Sequence, residues 1–249
     1  MADLQFVTQA AAQPVNWLVV GFSSAVVSAA INAVSNWLMR LSDRRREDRT
    51  SAEQRAREDA AVAERRAHEQ LDIALMLEAF AQEAYAYQSR VHGALACHAR
   101  GDQHAFELVD SQRLEFVLDA DRTWTELPVA LAAKVRELPN AMAANAKWIL
   151  GAWDTWAESG DAYELEKQRA IHYGWLACQL ADEIRRAIGV PPAAVALDYL
   201  THFWEEFEEI KANYVLAKSQ GLIFDVIPEM EVRLLHGSPD VAPNPPAAT

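Results

Sequence analysis

The sequence predicts an all-α protein built from an N-terminal single transmembrane helix, a charged helical stalk and an antiparallel helical bundle. Three observations support this. Alanine, leucine and glutamate dominate, and the 249 residues include only 9 Gly, which favours helix over strand. An uncharged, mostly apolar stretch runs from Trp17 to Trp37. A charged run without glycine or proline then covers residues 40–70.

Residues 15–39 are predicted to span a membrane. At roughly 1.5 Å per residue, Trp17 and Trp37 would lie about 30 Å apart, which matches the hydrocarbon core of a bilayer. Trp favours the membrane interface. Four arginines follow the stretch, namely Arg40, Arg44, Arg45 and Arg46. The positive-inside tendency then predicts that residues 1–14 lie outside and that the residues after the span lie in the cytoplasm. We therefore expect a single-pass protein of a bacterial inner membrane.

The predicted transmembrane helix carries two ridges at four-residue spacing. Gly21, Ala25, Ala29 and Ala33 form a ridge of small residues, and beside it lies a polar ridge of Ser24, Ser28, Asn32 and Asn36. Small ridges let helices approach closely, and buried amides bond across the contact. The hypothesis is a self-associating helix. The alternatives are a lone anchor and a helix lying in the interface, which the uncharged polar face disfavours.

Residues 40–70 predict a helical stalk, because opposite charges three and four positions apart support helix. Alanines 52, 56, 60, 63 and 67 make a stripe along it. The stalk either pairs with a second copy as a coiled coil or acts as a solvated spacer. A 4-3 apolar rhythm follows, which is heptad spacing. Its members are Ile73, Leu77, Phe80, Ala84, Tyr87, Val91 and Ala94. One continuous helix from membrane to bundle is expected.

Residues 71–237 predict the cytoplasmic helical bundle, with short connections that favour antiparallel neighbours. Glycine and proline punctuate it. The expected helices are 70–100, 102–118, a short one from Pro128 that ends before Pro139, one from about Met142 to Ser159, one capped by Asp161 with Glu164 that ends at Gly189, and one from Pro191 to Gly221. Residues 222–227 are expected to form a short extended segment or a hydrophobic clip. Residues 238–249 are rich in Pro and Ala and are expected to be disordered.

No sequence motif points to an active site, a cofactor or a metal. His92, His98 and His104 are six residues apart, so they fall on different helix faces. The Glu-x-x-His pairs of di-iron bundles, the P-loop and the nucleophile elbow are absent. The net charge of −13 argues against nucleic-acid binding. Cys97 and Cys178 are expected to be reduced core residues.

Three clusters remain as weaker candidates. Glu205, Glu206, Glu208 and Glu209 form either the wet face of the last helix or a docking surface for a basic partner. Asp119, Asp121, Arg122 and Trp124 form either a capped turn or a binding loop. His172, Tyr173, Trp175 and Cys178 either line a pocket or pack in the core with one hydrogen-bonded histidine. The second reading of this last cluster is preferred.

The predicted function is that of a membrane-anchored interaction or scaffold protein. It would form a homo-oligomer through its transmembrane helix and stalk and present an acidic bundle to an unknown protein partner. One alternative is a pore-forming or permeabilising oligomer lined by the polar ridge. Another is an all-helical enzyme without a recognisable motif, which the lack of convergent titratable groups disfavours.

Overall fold

The computed structural model describes residues 17–118 and 124–236, with side chains for all of these except residues 17–28, 30, 31 and 45. Every regular element in these ranges is helical, which confirms the all-α prediction. The helices are α1 (Trp17–His98), α2 (Glu107–Ser111), α3 (Val129–Thr155), α4 (Ser159–Ala187), α5 (Ala194–Ser219) and α6 (Pro228–His236). Contacts divide the chain into two units, residues 1–62 and 63–249.

The first unit contains the beginning of α1, and its described side chains are almost all exposed. Among them are Trp37, which is 61% exposed, and Met39, which is 64% exposed. The predicted N-terminal segment 1–14 and the side chains of most of the predicted span 15–39 lie outside the described residues. Within the residues that were described, no helix is both long and apolar enough to cross a membrane.

In the second unit, α4 lies at the centre and runs antiparallel to the end of α1, to α3 and to α5. Residues later in α4 contact residues earlier in each of these neighbours. The contacting pairs are Tyr87–Glu166 and Glu78–Arg185 for α1, Trp153–Tyr163 and Lys134–Glu183 for α3, and Lys167–Glu206 and Gly174–Phe203 for α5. Because neighbours cover it on several sides, α4 is buried along most of its length.

The 4-3 rhythm of α1 marks its buried face. All seven of its members are less than a tenth exposed, from Ile73 to Ala94. They belong to the same core cluster as Ile171, Phe203 and Phe207. The apolar rhythm therefore serves packing within one chain, and α1 contacts the bundle from Arg66 onward, where Arg66 pairs with Glu126.

The connection between α1 and α3 departs from the prediction. The helix expected over 102–118 is wrong, because only the five residues of α2 are helical and 113–118 has no regular structure. Phe106, Val109, Leu114 and Phe116 are nevertheless buried. Phe106 stacks on Tyr163 with a centroid distance of 3.7 Å. Tertiary packing of these side chains replaces helical hydrogen bonding here.

The two helices expected on either side of Pro139 are one helix, α3, with the proline inside it. An internal proline costs about 3 kcal/mol because it removes a backbone hydrogen bond. Val135 and Leu138 before it and Met142 after it are all buried. Burial of a side chain of this size contributes roughly 1.5–3 kcal/mol, so the packing on both sides outweighs the proline.

Helix ends follow the glycine signals closely. Gly101, Gly189 and Gly221 have φ of 92°, 70° and 69°, in the left-handed region where glycine ends helices without strain. The capping box of α4 is displaced from the prediction. Asp161 is the third helical residue and accepts the backbone N–H of Glu158 at 3.1 Å, so the helix begins at Ser159.

The C-terminal elements contain one helix that the sequence reading missed. Residues 222–227 have no regular secondary structure, and α6 follows them. Ile227 and Met230 are fully buried and fasten this end of the chain to the bundle. On α5, Phe203, Phe207 and Ile210 are buried, whereas Val195 near its start is exposed. The predicted tail 238–249 lies outside the described residues.

Candidate functional site

The predicted anchor and stalk residues that the structure describes are exposed. Ala29, Asn32, Ala33 and Asn36 from the two ridges have exposed side chains. The side chains of the other four, Gly21, Ser24, Ala25 and Ser28, lie outside the described residues, as do those of Trp17 and Arg45. Arg40, Arg44 and Arg46 are exposed, and so are alanines 52, 56, 60 and 63 of the stalk.

The acidic run of α5 is partly engaged within the chain. Glu206 lies 3.5 Å from Lys167 Nζ, and Glu208 accepts a hydrogen bond from Lys211 at 2.9 Å. Glu205 and Glu209 are exposed. Of the four carboxylates, these two remain fully on the surface. In the loop cluster, Asp119, Asp121 and Arg122 lie outside the described residues, and Trp124 packs half-buried against the core.

His172 lies in the core, as expected, but without the hydrogen bond that was expected of it. Its Nδ1 atom is buried and has no hydrogen-bond partner among the described residues. Burial, and to a smaller extent the nearby Arg233, lowers the pKa of His172 to about 3. The imidazole is therefore neutral at physiological pH. It has neither the exposure nor the basicity of a general base.

The side chains next to His172 fasten α6 to the bundle. Tyr173 Oη donates to Glu229 Oε1 at 3.3 Å, and Asn145 Nδ2 donates to Glu229 Oε2. The Arg233 guanidinium lies over the Trp175 ring, 4.5 Å from its centroid. These contacts join α3, α4 and α6, so this cluster serves architecture.

The two cysteines and two of the histidines, His98 and His104, have ordinary packing or surface contacts. Cys178 is buried and Cys97 is half-buried, and both are free thiols. Burial raises the pKa of Cys178 to about 12, so its thiol stays protonated. His98 lies against Phe106, and His104 pairs with Glu107 at 2.6 Å. No group of three or more His, Cys, Asp or Glu suited to a metal occurs among the described residues.

A cavity of about 420 Å³ opens between the 113–117 segment, α3 and α4. The segment supplies one wall, α3 supplies a second from Pro139 to Leu150, and α4 contributes Glu166 and Arg169. Its apolar lining includes Leu114, Phe116, Val117, Met142 and Leu150. The volume is in the range of small-molecule sites, and the mixture of apolar walls with a few charges is typical of them.

A buried polar network lies beside this cavity. Arg169, only 4% exposed, donates to Glu166 Oε2 from Nε at 2.8 Å and from Nη2 at 2.6 Å. Tyr87 Oη donates to the same oxygen at 3.3 Å, and burial raises the pKa of this tyrosine above its usual value. Tyr87 therefore remains a hydrogen-bond donor, and the carboxylate is held by α1 and α4 together.

This cavity was not predicted from the sequence. One signal was present, because Leu165, Arg169 and Tyr173 are four residues apart and so place an arginine on an apolar helix face. Nothing in the sequence indicated that residues 113–117 form a wall of a cavity, because they were predicted to belong to a helix. Comparison of the chain with protein-family models, with curated proteins and with solved structures finds no match.

Proposed function

We propose that this protein is a membrane-anchored helical interaction protein that self-associates through its first helix and presents an acidic bundle to a protein partner. The observation that carries the proposal is the exposure of a large apolar group on α1 beside basic residues. Val34, Trp37, Leu38 and Met39 are each more than half exposed. Such side chains cost free energy in water, roughly 25 cal/mol for each Å² of apolar surface.

The position of the arginines supports the proposal that these exposed apolar side chains lie in a membrane. Arg40 and Arg44 follow Met39 directly and are exposed. Apolar residues with an interfacial Trp, followed at once by arginines, are the arrangement expected where a helix leaves the cytoplasmic leaflet. The uncharged sequence from Trp17 onward supplies the length that a bilayer requires.

Self-association is supported by surfaces of small residues on both parts of α1. Ala29 and Ala33 are exposed in the segment of the predicted span, and the stalk alanines are exposed after it. A helix with a stripe of small side chains allows a second helix to approach closely. The described part of the first unit makes no internal contact that would cover these stripes.

The bundle is the part that would meet a partner. The acidic excess of the chain falls on residues after the stalk. Glu205 and Glu209 are exposed on α5, one turn apart on the helix, and they have no partner among the described residues. A basic protein surface is the complement of this arrangement, and charge of this kind raises association rates more than affinity.

The test is the mass of the full chain in a gentle detergent, measured by light scattering with the detergent subtracted. A defined dimer or higher oligomer is expected. Ala29→Leu should shift the chain toward monomer because it fills the small ridge. Ala30→Leu is the matched control, since it makes the same change about 100° round the helix. A monomeric parent chain, or equal effects of the two variants, would contradict the proposal.

A further inference from the structure

We propose that the cavity between the 113–117 segment, α3 and α4 binds a small amphiphilic anion, meaning an apolar body that carries one carboxylate. This inference concerns the bundle alone and does not depend on the anchor. It rests on three features of the cavity: a buried arginine in its lining, a lysine without an ion-pair partner among the described residues, and apolar walls.

Arg169 supplies the buried charge. Its two contacts with Glu166 Oε2 use Nε and Nη2. A guanidinium carries five donors and matches a carboxylate in geometry. Burial of an arginine is costly unless its donors are used. A carboxylate in the cavity would accept a hydrogen bond from a guanidinium N–H that does not face Glu166.

The other charges of the cavity favour an anion over a cation. Arg113, Lys147 and Arg169 line it, against Glu115 and Glu166. Glu166 is already occupied by Arg169 and by Tyr87 Oη. Lys147 is exposed and forms no ion pair with another described residue. Arg113 lies 3.8 Å from Asp110, so Lys147 is the cation of the lining that remains to meet an anion.

The apolar lining determines the rest of the ligand. Met142, Ala146 and Leu150 are spaced at four residues along α3 and face Phe116 and Val117 across the cavity. A free phosphate would leave these apolar side chains exposed to water, whereas the aromatic or alkyl part of a ligand would cover them. The volume of about 420 Å³ accommodates a compact ligand with one ring or a short chain.

The test uses the full chain in phosphatidylcholine nanodiscs and isothermal titration calorimetry, with empty nanodiscs as the blank. The probe is 4-phenylbutyrate, and 4-phenylbutylamine is its cationic counterpart of the same shape. We expect one saturable site per chain for the acid and an affinity at least about tenfold lower for the amine, because the charge changes sign. Equal affinities, no saturable binding of the acid, or equally tight binding of inorganic phosphate would overturn the proposal.

Substitutions on α3 then locate the site. Lys147→Gln should weaken binding of 4-phenylbutyrate by about three- to fivefold, as expected for an exposed charge. Lys134→Gln is the matched control, because Lys134 is on the same helix but pairs with Glu183 away from the cavity. Ala146→Phe should fill the cavity and abolish binding, with a thermal melt to confirm that the variant folds. If Lys134→Gln weakens binding as much as Lys147→Gln, or if a folded Ala146→Phe variant still binds, the cavity is not the site.

Discussion

At Gly174, α4 lies in close contact with Ala84 of α1 and Phe203 of α5, and Gly174→Ala should destabilise the bundle. A Cβ atom at this position would lie 2.7 Å from Phe203 Cε2, closer still to Cζ, and 3.0 Å from Ala84 Cβ. Carbon atoms pack best at about 3.5–4.0 Å, so the overlap is on the order of 1 Å. Phe203 and Ala84 are both fully buried, so neither can relieve the overlap by turning into solvent.

The size of the effect follows from two opposing contributions. Overpacking a core by one methyl group costs about 1–3 kcal/mol. Replacing glycine by alanine inside a helix returns about 0.5–1 kcal/mol. The expected net loss is therefore about 1–2 kcal/mol. Gly93→Ala is the matched control, because it lies in α1 with no atom within 4 Å of its added Cβ. It should stabilise by about 0.5–1 kcal/mol.

The assay is urea unfolding of the full chain, followed by tryptophan fluorescence, since Trp175 is fully buried in the core. The midpoint for Gly174→Ala should fall below that of the parent chain and that for Gly93→Ala should rise, at unchanged slope. Phe203→Leu in the Gly174→Ala background should recover part of the loss. If Gly174→Ala proved as stable as Gly93→Ala, the close approach of the three helices would be wrong.

Three further predictions concern buried polar groups. The pKa of His172 is lowered to about 3 in the folded protein but is about 6.5 in the unfolded chain. The free energy of unfolding should therefore decrease as the pH falls from about 6.5 toward 3, by about 1.4 kcal/mol at pH 5.5. A His172→Leu variant with the same pH dependence would contradict this prediction. Glu78→Ala should lower the free energy of unfolding in urea by about 3 kcal/mol, because it leaves the buried Arg185 without its carboxylate partner. Replacing Glu78 by Leu and Arg185 by Met together should lower it by less. An equal loss in the two variants would refute the pairing. Glu229→Ala should release α6 and raise amide hydrogen exchange over residues 224–236, while protection of α4 persists; unchanged exchange would show that Asn145 and Tyr173 do not fasten it.

The parts of the fold that were predictable depend on local pattern. The 4-3 rhythm from Ile73 to Ala94 is a property of one helix, and it marked the buried face correctly. The helix ends at Gly101, Gly189 and Gly221 were predictable because the positive φ angle that ends a helix is a property of the glycine itself. Such signals require no knowledge of what packs against the helix.

The parts that were not predictable depend on contacts between distant segments. Pro139 is a helix breaker by local rules, and it is tolerated because Val135 and Met142 are buried on either side of it. The 102–118 segment has helical propensity but follows the burial of Phe106 and Phe116 instead. The cavity was missed for the same reason, since its walls come from three separate stretches of chain.

The most direct test of the proposed membrane anchor and cytoplasmic location uses Cys97 as a native reporter. Cys97 is half-buried and accessible beside a surface pocket, whereas Cys178 is buried and remains protonated. The full chain in a bacterial host is treated with a membrane-impermeant maleimide, with Cys97→Ser as the control. The account predicts labelling in inside-out membrane vesicles and none in intact spheroplasts. Labelling in spheroplasts would contradict the orientation, and recovery of the chain in the soluble fraction would contradict the anchor.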